Sequence, residues 1–187
     1  MANLSTGVQG SSYYDLSSRG QVFSAFSAIT APVIYSTAAG TGGPLLWNGS
    51  SQAGPNPVNA VILGVSCAIT VVTTVAAALG ITGNSGQTAA PGTTTAITAT
   101  GNMKIGGPPS RCSVFNVGTP SNAGNFFFPL IQLGTGALTV DDIVLGFIDL
   151  GGAVVVPPNS WASIAASATA TTTVAQLGLI WAEVPVL

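Results

Sequence analysis

An all-β fold, a jelly-roll-like antiparallel β-sandwich behind an N-terminal arm, is what this 187-residue sequence predicts, and three observations predict it. A long apolar stretch, Ala60 to Ile81, alternates with a period of two. Glycine and proline punctuate the chain roughly every 8–12 residues, the spacing of turns between short strands. No segment shows a convincing apolar stripe of helical period.

Residues 1–30 read as the arm, rich in Ser and Gly, with Tyr13, Tyr14, Phe23 and Phe26 set among polar neighbours as candidate interface residues. A short helix over Gln21 to Ala28 is the local reading. Apolar anchors with little core of their own suit an arm docked on a neighbouring subunit; the alternative is a first strand of the domain. Met1 to Gly7 have neither a basic region nor a continuous apolar run, so no secretory signal is read there.

Residues 31–187 then form the sandwich. Thr41-Gly42-Gly43-Pro44 introduces the short apolar Leu45-Leu46-Trp47, and Asn48-Gly49-Ser50 fits a glycosylation pattern but reads as a turn. In the stretch that follows, the odd positions from Val61 to Ile81 are apolar in ten of eleven cases, while the even ones are mostly small or polar. One row therefore faces a core and the other solvent or a neighbour. A span of 22 residues would also fit a membrane helix by length. A helix would scatter the odd row, the β-branched content favours strand, and no Lys or Arg flanks the stretch, so no membrane partner is expected. It is too long for one strand, which places a break near Val72 to Thr74.

Gly83 to Gly92 reads as a loop, Thr93 to Thr100 as a strand and Gly106-Gly107-Pro108-Pro109 as a second loop. Further strands are expected at Cys112 to Val117, Phe126 to Leu133, Ile143 to Leu150, Ala153 to Val156, Trp161 to Thr169 and Val174 to Val184. Pro157-Pro158-Asn159-Ser160 reads as a hairpin turn between two of these, because proline cannot donate to a ladder. Eight to ten strands suit two four-stranded sheets face to face. The threonine patches lack the fixed spacing of a solenoid.

Composition narrows function by exclusion. Charged residues make up 4% of the chain, the net charge is −2 and there is no histidine. Three cations neutralise too few phosphates for nucleic-acid binding. Without histidine there is no Ser-His or Cys-His pair and no His-ligated metal. A hydrophobic content of 47% argues against disorder. Nearly half the residues are Gly, Ala, Ser or Thr, and so little charge gives weak repulsion between copies, so the surface is expected to be covered by copies of itself or a larger assembly.

The remaining candidates for chemistry are few. Lys104 is the sole candidate amine base, without a Ser-x-x-Lys spacing around it. Cys67 and Cys112 make no disulfide framework and read as two buried thiols, although Arg111 beside Cys112 is a feature that lowers a thiol pKa. Asp141, Asp142 and Asp149 carry oxygen ligands but no calcium-loop spacing. Trp47, Trp161 and Trp181 read as core or subunit packing. No cofactor, metal or catalytic residue is expected.

Three groups of residues carry a resemblance: Pro44-Leu45-Leu46-Trp47-Asn48-Gly49-Ser50 with Asn59 to Ser66, then Ala76 to Ile81, then Gly152 to Ser160 closing on Leu179 to Val184. Together they resemble the head decoration, or cement, proteins of tailed bacteriophages, which have a jelly-roll body; Asn159 stands where a glycine is commoner. The resemblance implies a homotrimer on the outer capsid surface, bound to the major capsid protein and assembled in the host cytoplasm. It implies no catalytic residue. Attachment through apolar and hydrogen-bonding contacts would depend weakly on salt. Two other roles stay open: a tail fibre or baseplate component that binds a host receptor through aromatics at one end, and a carbohydrate-active sandwich enzyme, which would need an aspartate facing Glu183 across a pocket.

Overall fold

In the computed structural model, residues 10–27, 41–49, 55–71, 77–97, 101–133, 144–168 and 174–186 are described. A helix α1 (Gly10–Ser18) comes first, followed by β1 (Val22–Phe26), β2 (Thr41–Asn48), β3 (Val58–Val71) and β4 (Ala77–Ser85). Then come β5 (Gly92–Ala96), β6 (Gly101–Asn102), β7 (Ser113–Thr119) and β8 (Phe126–Leu133), and last β9 (Val144–Val156), β10 (Ser160–Ala166) and β11 (Val174–Pro185). The five-stranded sheet has the order β6-β1-β11-β3-β9 and the six-stranded sheet the order β5-β7-β2-β10-β4-β8. The pairings are antiparallel throughout these orders.

The all-β antiparallel sandwich is thus the architecture the sequence predicts. Its pairings are nested: β1 with β11, β2 with β10, β3 with β9 and β4 with β8. The stretch between β4 and β8 adds β5 and β7 to one sheet and β6 to the other, so the sheets have more than four strands each. This addition extends one flank only, and on the opposite flank β8 and β9 are edge strands.

The core lies between the sheets. Trp181 is fully buried and stacks on Phe23, ring centroids 5.8 Å apart, with Leu46, Ile62, Ile69, Leu79, Ile81 and Ile164 around them. Asn48, the last residue of β2, is fully buried. Its amide donates to the carbonyls of Val58 (2.7 Å) and Val156 (2.9 Å), which joins the two sheets at one end. The glycosylation pattern at Asn48 is therefore a structural clamp.

Four local expectations change. The residues expected as a helix at Gln21 to Ala28 form β1 instead, held between β11 and β6, because Phe23 and Ala25 alternate into the core while Val22, Ser24 and Phe26 face out. The helix lies earlier, at α1, and ends in a Schellman turn: Gln21 N donates to Leu16 O, Gly20 N to Ser17 O, and Gly20 takes φ +71°. The stretch read as an arm therefore divides into a helix lying on a sheet and a strand within it; residues 1–9 and 28–30 lie outside the described residues.

The third change concerns the long alternating stretch. The strand expected to break near Val72 to Thr74 is interrupted between β3 and β4, and residues 72–76 lie outside the described residues. Within β3 the parity switches. Val58, Ala60 and Ile62 face the core at the start, then Val65, Cys67 and Ile69 do so after Leu63. Leu63 is an extra residue against β11, where Trp181 pairs with Ile62 and Ile180 with Gly64. Such a bulge moves every following side chain to the opposite face. Val61 and Leu63 therefore leave the core and pack with Val22, Ala182, Tyr13 and Leu16 beneath α1.

Fourth, Val156 and Ser160 belong to different sheets, so Pro157 to Asn159 is an arch between layers instead of a hairpin turn. Asn159 sits at φ +58°, a left-handed conformation Asn tolerates, and its N–H donates to Asn48 O. The segments Ile143 to Leu150 and Ala153 to Val156 merge into β9, interrupted where Leu150 to Ala153 lie opposite Leu63. Gly151 and Gly152 take φ +55° and +83° there, and a Cβ on Gly152 would stand 2.9 Å from Val61 Cγ1.

Candidate functional site

The four aromatic residues expected at an interface occupy three different settings. Phe23 is in the core and is no surface residue. Tyr13 is half-buried beneath its own helix: its hydroxyl donates to Leu63 O at 3.2 Å and to Asp149 Oδ1. Asp149 Oδ1 also accepts from Gly151 N at 2.8 Å, so the facing bulges of β3 and β9 form the seat on which α1 is docked. Burial, then the hydrogen bond and charge of Asp149, push the Tyr13 phenol up to about 12. The same hydrogen bond and the Gly151 N–H hold the Asp149 carboxyl below the ordinary range. Tyr14 is 74% exposed and Phe26 59% exposed; these two remain available to a partner.

Phe26 belongs to a row that crosses the outer face of the first sheet. Register places Phe26 beside Gly178, Gly178 beside Ser66 and Ser66 beside Phe147. Phe147 is 55% exposed. Phe26 and Phe147 line a groove of about 440 Å³ together with Ser66, Ala68, Gly146 and Gln176. Its walls and floor carry no charged residue. A side chain at Gly178 would collide with Ser66 Oγ. Phe147 escaped sequence reasoning because its row-mates are far away in the chain; only the register of four strands assembles them.

The edge strand β8 adds two exposed rings, Phe126 and Phe128, and β9 adds Val155. Neither β8 nor β9 has a second strand neighbour among the described residues. Long apolar edges without lysine are association surfaces in physical terms. Among the described residues the exposed aromatics lie on α1 (Tyr14), β1 (Phe26), β8 (Phe126, Phe128) and β9 (Phe147).

The reactive groups are placed as follows. Cys67 and Cys112 are free and buried. Burial raises the Cys67 thiol to about 11, and burial with the nearby Glu183 charge raises Cys112 further. Arg111 does not lower it, because its guanidinium turns away to Asn56 O. Glu183 is buried and accepts hydrogen bonds from Ser110 Oγ (2.5 Å) and the N–H groups of Arg111 and Cys112. It ties the 110–112 loop to β11, and Asp149 does not line the cleft that Glu183 lines. Lys104 is exposed on a loop, its backbone N–H bonded to Asn102 Oδ1. Asp141 and Asp142 lie outside the described residues. Trp181 is a core residue, Trp161 packs with Leu45 and Phe115 on the second sheet, and Trp47 donates its indole N–H to Gln87 O at 3.0 Å.

Among the described residues no group of three His, Cys, Asp or Glu side chains is placed to hold a metal ion, and no helix is long and apolar enough to cross a membrane. No protein-family model, no curated protein and no solved structure matches the chain.

Proposed function

We propose that this chain is a non-enzymatic structural protein of a virion: a capsid decoration or cement protein that sits on the outer capsid surface as a homotrimer and stabilises the head. The observation that carries this reading is the uncharged groove between Phe26 and Phe147. Half-exposed rings over a glycine–serine floor are unfavourable in water and favourable beneath a partner. A chain with 4% charged residues keeps few charges with which to repel its own copies. The segments that resemble phage head decoration proteins lie on β2, β3, β4, β9 with the arch that follows it, and β11, so they belong to one sandwich. Apolar and hydrogen-bonding contacts would then hold the trimer and its attachment, with the Asp149 carboxylate already engaged by Tyr13 and Gly151.

Phage heads assembled without this chain test the proposal. Added back, the protein is expected to bind at a fixed ratio to the major capsid protein and to raise the temperature at which the heads open. The double substitution Phe26→Ser, Phe147→Ser is expected to weaken binding at least tenfold while leaving the fold intact. Heads that neither bind the protein nor gain heat resistance would overturn it.

A further inference from the structure

Arg19, Lys104 and Arg111 are all the cations the chain has, and the fold gathers them at one end of the sandwich. The charge-free stretch of 84 residues between Arg19 and Lys104 closes on itself because β1 pairs with β6. Met103 N donates to Val22 O, and the Asn102 amide donates to the carbonyls of Gly20 and Pro108. Lys104 Cδ consequently lies 3.5 Å from where a Cβ on Gly20 would stand. Arg19, Gly20 and Arg111 line a single cleft of about 360 Å³.

The walls of that cleft are unusual in chemistry. Pro55, Pro57, Pro108, Pro109 and Pro185 line it, with Phe23 beneath. Proline has a fixed φ and no N–H, so these walls are stiff, apolar and without backbone donors of their own. Donation to a ligand falls chiefly to the guanidinium groups. The Arg111 guanidinium is held across the rim by one bond, Nη1 to Asn56 O at 2.5 Å, and its remaining N–H groups meet no acceptor among the described residues. Arg19 pairs with Asp15 at 2.9 Å, but both side chains are more than half exposed, at 64% and 57%, so water screens the pair and a ligand can exchange with it. Glu183 also lines the cleft, yet its carboxylate is occupied by Ser110 and by the backbone of Arg111 and Cys112.

We propose that this cleft binds an acidic peptide segment of a partner protein, its carboxylates against Arg19 and Arg111 and its apolar side chains on the proline walls. The planar guanidinium fork matches a carboxylate in two parallel hydrogen bonds. Three cations at one end are too few to follow a nucleic-acid backbone. A free inorganic anion would use the arginines and leave the proline surface idle. The inference does not rest on the capsid reading, since it concerns a charged site and the other an uncharged one.

Titration of the ¹⁵N-labelled full-length chain with a blocked Leu-Glu-Leu-Glu peptide tests it by NMR, arginine side-chain resonances included. Saturable shifts are expected at Arg19, Gln21 and Arg111, weakening at least fivefold in Arg19→Gln and in Arg111→Gln, and weakening as salt is raised. The corresponding Leu-Gln-Leu-Gln peptide is expected to bind at least tenfold more weakly. Equal binding of the two peptides, no shift at millimolar peptide, or inorganic phosphate binding as tightly as the acidic peptide would each overturn the proposal. Should Arg111→Gln fail to fold for want of its bond to Asn56, the exposed Arg19→Gln decides alone.

Discussion

Tyr13 and Asp149 show how one side-chain pair fixes a whole helix. The phenol is favoured in its protonated form and the carboxyl in its ionised form, so the docked state of α1 requires both. For Tyr13 the folded value lies above the ordinary 10, and the stabilisation is complete below pH 10 and lost as pH rises through about 12. For Asp149 the sign is opposite: stabilisation is present above the ordinary aspartate range and lost as pH falls through the lowered value. Titration of tyrosinate absorbance is expected to show a component near 12, and Tyr13→Phe is expected to remove it. Asn48 is the comparable residue in the interior. Asn48→Ala removes the buried amide that donates to the Val58 and Val156 carbonyls, an expected loss of about 1–3 kcal/mol in chemical denaturation. At this scale the sequence was partly legible. The spacing of Asn48-Gly49-Ser50 announced a turn, but nothing local revealed that the Asn amide points inward to two carbonyls, one of them 108 residues away.

The element that most shapes the molecule is β3, through its bulge. Periodicity identified the strand, and the β-branched residues around Ile69 confirmed its type, but a period-of-two count cannot register one inserted residue. Leu63 reverses the parity, lifts Val61 out of the core and creates the apolar strip that α1 covers. Removal of Leu63 by deletion is therefore expected to cost more than Leu63→Ala, which loses about 2–4 kcal/mol of packing beneath α1. The deletion puts Val58, Ala60 and Ile62 on the wrong face relative to Val65, Cys67 and Ile69. Thermal unfolding of both variants checks the order; equal losses would mean that the bulge has no role in register. The strand β1 was misread for a related reason. Val22–Phe26 is too short to display a period by itself, and β6 and β11, which hold it on either side, are remote in sequence. The arch at Pro157 to Asn159 has the composition of a hairpin turn, and only the placement of its two strands in separate sheets distinguishes them.

For the whole molecule, composition and punctuation carried the sandwich, because turn spacing and alternation are written locally along every strand. The surface features are not written that way. The Phe26–Gly178–Ser66–Phe147 row needs four strands in register, and the meeting of Arg19 with Lys104 and Arg111 needs β1 beside β6. Scarcity of charge thus has two structural counterparts: the groove between Phe26 and Phe147 is lined without a charged residue, and the few cations are concentrated instead of dispersed. Coverage of the chain by copies of itself would fall on this uncharged groove. Sedimentation equilibrium at about 50 mM and about 500 mM salt tests it most directly. Three times the 18.4 kDa chain mass is expected at both salt concentrations, and a single-chain mass for Phe26→Ser, Phe147→Ser. A monomer for the unaltered chain, or a trimer that survives both substitutions unchanged, would contradict it.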